Sequence, residues 1–301
     1  MRGVILSFVL IRMIMCKQWN QVTVVGCGLL GASFALALRD AGVCDRISGW
    51  DTSPDVLKRA CDRGIIDEVD LAFDRGGQSS SDLIYLATPI KAIISFFEER
   101  TALAKPGCVI TDAGSTKLDI WTAAHRHLPP DVKFIGGHPM AGGHRGGLEH
   151  ARRDLFRDAP YLLIPQSDCD ANDATKTLRF TLSAIGAHVE IMTPEKHDRA
   201  MAFVSHLPQL LSSALADTVK HQTDHECLTR VAGSAYKDLT RLSSSPWNIW
   251  RDILTTNSGN IDDALAVFID RLQQVRSDLK ATTRSSHEML DSISALFAGS
   301  S

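Results

Sequence analysis

The stretch VTVVGCGLLGASFALALRDA, residues 22–41, decides the fold. It begins with a β-branched run, continues with a G-x-G-x-x-G pattern and ends in an alanine-rich segment, which predicts a strand, a tight turn and a helix. Gly26 permits the tight turn, Gly28 lets the backbone approach a pyrophosphate, and Gly31 allows helix and strand to pack closely. The helix N-terminus then faces the phosphates. The predicted cofactor-binding residues of this turn are Gly26, Cys27, Gly28, Leu29, Leu30 and Gly31.

An acidic residue strengthens the prediction of a dinucleotide site. Asp51 lies twenty residues beyond Gly31, at the end of the next apolar run, where its carboxylate can accept both ribose hydroxyls. The carboxylate would repel a 2′-phosphate, and residues 52–54 include no arginine to receive one, so the sequence favours NAD over NADP. Thr88 and Pro89 end a later strand-like run and are expected at the same edge of the sheet, where ligands of open α/β sheets bind.

The chain divides into two halves of different character. Short apolar runs alternate with helix-like stretches over residues 21–192, which predicts a Rossmann-type α/β domain with a doubly wound parallel sheet. Long stretches of helical spacing follow over residues 193–301, and we predict an all-helical domain that binds substrate and forms a homodimer. Residues 1–20 are predicted to be an N-terminal extension, with translation from Met13 or Met15 as an alternative. The predicted strands are 22–26, 46–51, 82–89, 108–114, 133–139, 161–165 and 188–192, and the predicted helices of the second half are 195–220, 226–239, 245–257 and 261–296.

Composition indicates a small molecule as the partner. The chain of 301 residues has a net charge of −3, so it lacks the positive field that would attract nucleic acid or an anionic membrane. Its seven cysteines are odd in number and include no CxxC pair, which predicts reduced thiols and no metal site. The apolar segment 3–15 is too short to span a bilayer and contains Arg12. We therefore predict a cytoplasmic protein.

Two further strand ends carry the candidate catalytic residues. Ser115 lies in DAGSTK, residues 112–117, and His138 lies in GGHPMAG, residues 136–142. An imidazole ionises near neutral pH, which suits His138 to accept a proton from a substrate hydroxyl as hydride leaves the same carbon. Ser115 would orient that imidazole or bind the same hydroxyl.

The helical half contributes two candidate substrate-binding residues, His206 in SHLPQ and Arg241 in KDLTR. A guanidinium buried in an apolar helix needs an anion, and Arg241 could hold a carboxylate with two parallel hydrogen bonds. An ion pair within the bundle is the alternative for Arg241, and a hydrogen-bonded core position is the alternative for His206.

These segments together resemble the prephenate/arogenate dehydrogenase family. The ordered combination of GSTK, GHPMAG and SHLP is the most specific part of the resemblance. The resemblance implies that prephenate loses hydride from its hydroxyl-bearing ring carbon to NAD and loses its ring carboxylate as CO2, giving 4-hydroxyphenylpyruvate on the route to tyrosine. The segments that carry the resemblance are residues 24–35, Asp51, 87–89, 112–117, 136–142, 205–209 and 237–252.

The resemblance also implies roles for individual residues. His138 would accept a hydrogen bond from the ring hydroxyl with Ser115 in support, while His206 and Arg241 would bind the substrate. Trp250 matches an aromatic position of the family's substrate pocket. The sequence departs from the family pattern after GHPMAG, where glycine stands at position 146 in place of a common serine. His144 occupies a position at which the family has Glu or His, and we expect it to read the substrate side chain.

Three alternatives to a prephenate dehydrogenase stay open on the sequence alone. Arogenate differs from prephenate only by an amino group in place of the side-chain keto group. A β-hydroxyacid dehydrogenase would need a catalytic lysine in a helix of the second domain, and Lys196, Lys220 and Lys237 do not fit that pattern. A non-enzymatic NAD sensor is the third reading.

Overall fold

The computed structural model describes residues 18–142, 146–165, 173–282, 293–294 and 297. Within the described residues, the chain forms two compact units. One holds the residues up to Asp198 together with Ser245–Thr256, and the other holds Arg199–Ser244 and the residues from Asn257 on. Of the predicted N-terminal extension, residues 1–17 lie outside the described part, and the first strand already begins at Trp19.

The first unit is built on an eight-stranded sheet with the order β3-β2-β1-β4-β5-β6-β7-β8. Neighbouring strands are parallel except for β6 and β7, so the predicted Rossmann-type sheet is confirmed with one antiparallel pairing. The described part of the connection from β6 to β7 contains a short 3-10 turn, Leu148–His150, in place of a crossover helix, which lets β7 return antiparallel. The strands are β1 Trp19–Val25, β2 Cys44–Trp50, β3 Glu68–Val69, β4 Leu83–Leu86, β5 Val109–Asp112, β6 Lys133–Pro139, β7 Pro160–Ile164 and β8 His188–Ile191.

Helices cover the sheet and make up the second unit. The first helix ends at Gly42, whose φ of +64° lies in the left-handed region that closes many helices. Phe34 of this helix stacks on Tyr85 of β4, with the ring centroids 3.9 Å apart, and this contact packs the helix against the sheet. The helices are α1 Leu29–Ala41, α2 Pro54–Asp62, α3 Ala72–Arg75, α4 Ile90–Glu99, α5 Leu118–His127, α6 Asp173–Ala184, α7 Pro194–Met201, α8 Leu207–Lys220, α9 His225–Arg230, α10 Ser234–Thr240, α11 Trp247–Thr256 and α12 Ser258–Thr282.

Two predicted helices of the second half are interrupted. The stretch 195–220 contains a wide π turn at Ala202–His206, which ends two residues before Pro208. Pro208 has no N–H to donate to the preceding turn. The stretch 226–239 is two helices: α9 ends at Arg230, and α10 begins at Ser234 after Gly233, whose backbone is extended. Of the last predicted helix, 261–296, the structure shows a continuous helix over Ser258–Thr282. Among the residues described, no helix combines the length and the apolar character needed to cross a membrane.

Candidate active site

The glycine turn between β1 and α1 leaves no space for side chains at two of its positions. Gly26 has a φ of +91°, and a Cβ built on it would lie 2.5 Å from the carbonyl oxygen of Ala87 at the end of β4. A Cβ on Gly31 would lie 2.0 Å from the carbonyl oxygen of Gly26. At Gly28 an added Cβ would meet nothing within 4 Å. The backbone at Gly28 is therefore open to a ligand, as a pyrophosphate would require.

Asp51 follows β2 and faces this turn. Its Oδ2 accepts the N–H of Cys27 at 2.9 Å, and its Oδ1 accepts the N–H of Ser53 at the same distance. The carboxylate therefore bridges the glycine turn and the start of α2. It lines a cavity of about 490 Å³ that also borders Gly28 and Thr88.

The cavity beside Asp51 has an aromatic wall that the sequence did not reveal. Trp50 stacks on Phe73 at 5.7 Å between ring centroids, and Phe73 stacks in turn on Phe96 at 6.2 Å. The guanidinium of Arg100 lies over the Trp50 ring, 5.3 Å from its centroid. Such a wall suits a flat, apolar group such as a nucleobase. Phe73 and Phe96 look in the sequence like ordinary core residues, so no local signal distinguishes them.

A second cavity, of about 560 Å³, continues from the glycine turn toward Ser115. Gly28, Thr88 and Pro89 line both cavities, so the two adjoin along the carboxyl ends of the strands. Ser115 is half-buried at the wall of the second cavity. The strand ends thus line a groove that runs from Asp51 to Ser115. The other lining residues of the second cavity are Leu29, Leu30, Ala87, Ile90, Ala113, Gly114, Gly142, Gly146, Gly147, Pro246, Asn248, Ile249 and Asp252.

Helix α11 contributes part of the lining of the second cavity. Asp252 is buried there and accepts the N–H of Lys91 at the start of α4, at 3.4 Å. Thr256 and Thr116 share a hydrogen bond of 2.7 Å between their hydroxyls, which ties α11 to the loop after β5. Trp250 is half-buried on the same helix and is not among the residues that line the second cavity.

A buried ion pair holds the loop that carries Ser115. Asp112 and Lys117 are fully buried, and the Lys117 ammonium donates to Asp112 Oδ2 and, at 2.7 Å, to the carbonyl oxygen of Gly137. Asp112 also accepts the N–H groups of Gly114 and Gly137, at 2.8 and 3.0 Å. Burial lowers the pKa of Lys117, and the Asp112 charge opposes that effect. The pair therefore joins the ends of β5 and β6, where Ser115 and His138 lie.

His138 lies on β6, and its Nδ1 is 2.8 Å from Nε2 of His197. Nδ1 of His197 is 2.8 Å from Asp198 Oδ1, so three side chains form a row. Asp198 in turn accepts the backbone N–H groups of Lys117 and Leu118, at 2.7 and 2.9 Å. Burial lowers the pKa of His197, while its hydrogen bond with Asp198 opposes the effect. Sequence reasoning missed His197 and Asp198; the only available signal was a His-Asp pair where the helical half begins.

The remaining predicted site residues belong to the second unit or lie outside the described residues. In the second unit His206 is buried in the π turn, with its Nδ1 3.2 Å from Nδ2 of Asn257. Arg241 is exposed in this chain, at the start of a 3-10 turn, so the premise that its helix buries it is wrong. Gln209 on α8 holds that turn by donating to the carbonyl oxygen of Leu242 at 2.7 Å. His144 lies outside the described residues.

The described residues contain no cluster of side chains suited to a metal ion. No group of at least three His, Cys, Asp or Glu side chains is arranged there to hold a metal ion. The polar groups described above are the Asp51 carboxylate, the open backbone at Gly28 and the Ser115 hydroxyl, which line the two cavities, and the buried imidazole of His138.

Comparison with known proteins matches both halves of the chain to one family. The model for the nucleotide-binding domain of prephenate dehydrogenase matches residues 34–191, and the model for its dimerization domain matches residues 193–293. The prephenate dehydrogenase of Bacillus subtilis is 34% identical over 272 residues, which cover 87% of this chain and 71% of that protein.

Solved structures agree with the sequence comparison. Prephenate dehydrogenase from A. aeolicus, in complex with hydroxyphenyl propionate and NAD+, superposes with a TM-score of 0.83 at 29% identity, covering 93% of this chain and 96% of that one. Synechocystis arogenate dehydrogenase superposes with a TM-score of 0.74, also at 29% identity, covering 87% of this chain and 93% of that one.

Proposed function

The chain belongs to the prephenate dehydrogenase family, and on that premise we propose that it converts prephenate and NAD+ to 4-hydroxyphenylpyruvate, CO2 and NADH in tyrosine biosynthesis. The observation that carries the proposal is the buried row His138, His197 and Asp198, which ends at the same sheet edge as the glycine turn. A buried imidazole at this edge suits removal of a hydroxyl proton.

NAD fits the residues of the groove. The open backbone at Gly28 suits the pyrophosphate, Asp51 suits the ribose hydroxyls, and the wall of Trp50, Phe73 and Phe96 suits the adenine. Thr88 and Pro89 each line both cavities, at the place where the cavities adjoin. When bound, NAD supplies the acceptor for the hydride of the substrate. The negative charge of Asp51 beside the ribose position disfavours the 2′-phosphate of NADP.

The chain's own residues then position the substrate and remove its proton. Ser115 and His138 bind the ring hydroxyl, and His138 takes its proton as the hydride leaves. His206 and Arg241 bind the substrate from the helical domain, with Arg241 gripping a carboxylate. His144 and Trp250 complete the proposed substrate site. Loss of the ring carboxylate makes the ring aromatic, so the protein's main tasks are orientation and proton removal.

We further propose that the chain acts as a homodimer in the cytoplasm. We keep the division of the chain into two domains as a proposal: an NAD-binding domain over residues 21–192 and a helical domain over residues 193–301. The exposed apolar side chains of α12 support association of two helical domains. Leu272 and Leu279 are 51% and 53% exposed, and their spacing of seven residues places them on one face of the helix.

Arogenate is the second candidate substrate, since the chain is similar to the Synechocystis arogenate dehydrogenase over most of its length. The deciding experiment measures NADH or NADPH formation by the purified protein with prephenate and with arogenate, each with NAD and with NADP. We expect turnover of prephenate with NAD. Turnover of arogenate alone would keep the chemistry and change the substrate, and no turnover of either would overturn the proposal.

A further inference from the structure

The hydrogen bonds in the row Asp198, His197 and His138 determine which ring nitrogens carry protons, as well as where the rings lie. An ionised carboxylate can only accept hydrogen bonds. Asp198 accepts hydrogen bonds from the backbone N–H groups of Lys117 and Leu118 at the start of α5 and from the ring of His197. The N-terminus of a helix also favours a negative charge at this place. The hydrogen bond to Asp198 therefore requires His197 to carry a proton on Nδ1.

The second nitrogen of His197 is then an acceptor as long as the ring is neutral. Among the residues that the structure describes, the charged groups that act on the His197 ring are Asp198, Lys117 and Asp112, and His138 is a further titratable neighbour. His197 is fully buried, and burial disfavours the imidazolium. A neutral ring with its proton on Nδ1 has its lone pair on Nε2, which is the atom 2.8 Å from His138 Nδ1.

We propose that His197 and Asp198 are positioning residues that hold His138 in one tautomer, with the proton on Nδ1 and the basic lone pair on Nε2. The proposal rests on the role of His138 as the base in the proposed function. An imidazole without such a partner divides between two tautomers and several ring orientations. Here the Asp198 carboxylate sets the direction of both hydrogen bonds, because each link in the row has a donor and an acceptor that cannot be exchanged.

The arrangement also suits the charge that appears during the reaction. The O–H bond of the substrate hydroxyl breaks, the electron pair stays with the oxygen, and the proton forms an N–H bond at His138 Nε2. His138 becomes an imidazolium whose Nδ1–H still donates to His197. The negative charge of Asp198, at the far end of the row, stabilises the new positive charge. Removal of an orienting carboxylate from a Ser-His-Asp triad costs roughly 10⁴-fold in kcat, which sets the scale of such effects.

Two amide substitutions of His197 separate positioning from folding. In His197→Asn the side-chain amide can still donate to Asp198 from near the place of Nδ1, but nothing accepts from His138. In His197→Gln the amide oxygen can reach the place of Nε2 and accept from His138. We expect His197→Asn to lower kcat by about 10²-fold or more, with little change in KM or in NAD affinity, and His197→Gln to recover a large part of kcat. The control is His188→Asn, at an exposed position of β8.

The tautomer itself can be read by NMR on the wild-type protein labelled with ¹⁵N-histidine. The His138 signals are those missing from His138→Gln, and long-range ¹H–¹⁵N correlations distinguish a protonated from an unprotonated ring nitrogen. Protonated Nδ1 and unprotonated Nε2 would support the proposal, together with the loss of kcat in His197→Asn. A proton on His138 Nε2, or wild-type kcat in His197→Asn, would overturn it. If the wild-type protein turns over neither substrate, the proposed function fails, while the NMR result still decides the tautomer.

Discussion

His138 is the residue on which the proposed chemistry depends. It lies on β6, and its side chain is hydrogen-bonded to His197. We therefore expect that its imidazole can be removed without disturbing the glycine turn. We expect His138→Ala to lower kcat by roughly 10²–10⁴-fold, the usual contribution of a positioned base, while NAD affinity changes little. Initial rates of NADH formation and a fluorescence titration with NAD measure the two effects. Near-normal turnover would show that the base is another group.

His197 makes a second prediction, on stability. Burial lowers its pKa in the folded protein, whereas the unfolded chain binds a proton near the ordinary value of about 6.5. As the pH falls below that value, the unfolded chain takes up the proton first, so the free energy of unfolding decreases. The contribution of neutral His197 to stability is therefore fully present above about pH 6.5 and is lost as the pH falls toward the lower native pKa.

Urea unfolding at about pH 7.5 and about pH 5.5 tests whether the free energy of unfolding decreases as the pH falls. We expect the wild-type protein to lose more stability over that interval than His197→Gln, which has no proton to bind at this position. His188→Asn, at an exposed histidine, should follow the wild type. An equal loss in the wild type and His197→Gln would show that burial of this ring is not the cause.

At the scale of elements, the glycine turn fixes the distance between β1 and β4. Gly26→Ala brings a Cβ within 2.5 Å of the Ala87 carbonyl oxygen, at a φ of +91°. Gly107 is the matched control, since its φ is +80° and an added Cβ would meet nothing within 4 Å. Both substitutions should cost about 1–2 kcal/mol for the backbone conformation alone. Only Gly26→Ala should add a steric cost and weaken NAD binding.

Thermal unfolding and NAD titration of both variants measure the difference. Because the added Cβ would clash with backbone atoms of Ala87, the ends of β1 and β4 must move apart to relieve the clash, and the pyrophosphate position moves with them. Equal stability and equal NAD affinity in Gly26→Ala and Gly107→Ala would show that the close approach to Ala87 is not required.

At the scale of the whole molecule, the proposed homodimer depends on the apolar face of α12. Leu272→Lys places a charge on this face, whereas Gln273→Lys makes the same change of charge on another side of the same helix. We expect the first variant to shift the protein toward monomers and the second to remain dimeric, because a buried lysine without a partner is costly. Analytical ultracentrifugation measures both. Equal assembly of the two variants would contradict this placement of the interface.

Much of the molecule was determined by its sequence alone, because the signals involved are local. The β-branched run, the glycine pattern and the alanine-rich helix are contiguous, and a strand, a turn and a helix form from contiguous residues. The same holds for seven of the eight strands of the first unit, whereas the two-residue strand β3, Glu68–Val69, was not predicted. The single helix predicted over 226–239 was wrong, because the chain leaves the helical conformation between Arg230 and Ser234, a stretch that includes Gly233. The prediction relied on the helical spacing of the apolar side chains and disregarded the backbone freedom of a single glycine.

The parts decided only by tertiary structure join residues far apart in sequence. His138 and His197 are 59 positions apart, and Lys117 and Asp198 are 81 apart, yet each pair is hydrogen-bonded. The aromatic wall beside Asp51 likewise combines separate elements that look like ordinary core in the sequence. A sequence pattern shows which residue types are present and which local conformation they favour. The direction of a hydrogen bond, and hence the place of a proton, depends on which groups the folded chain brings within 3 Å of each other.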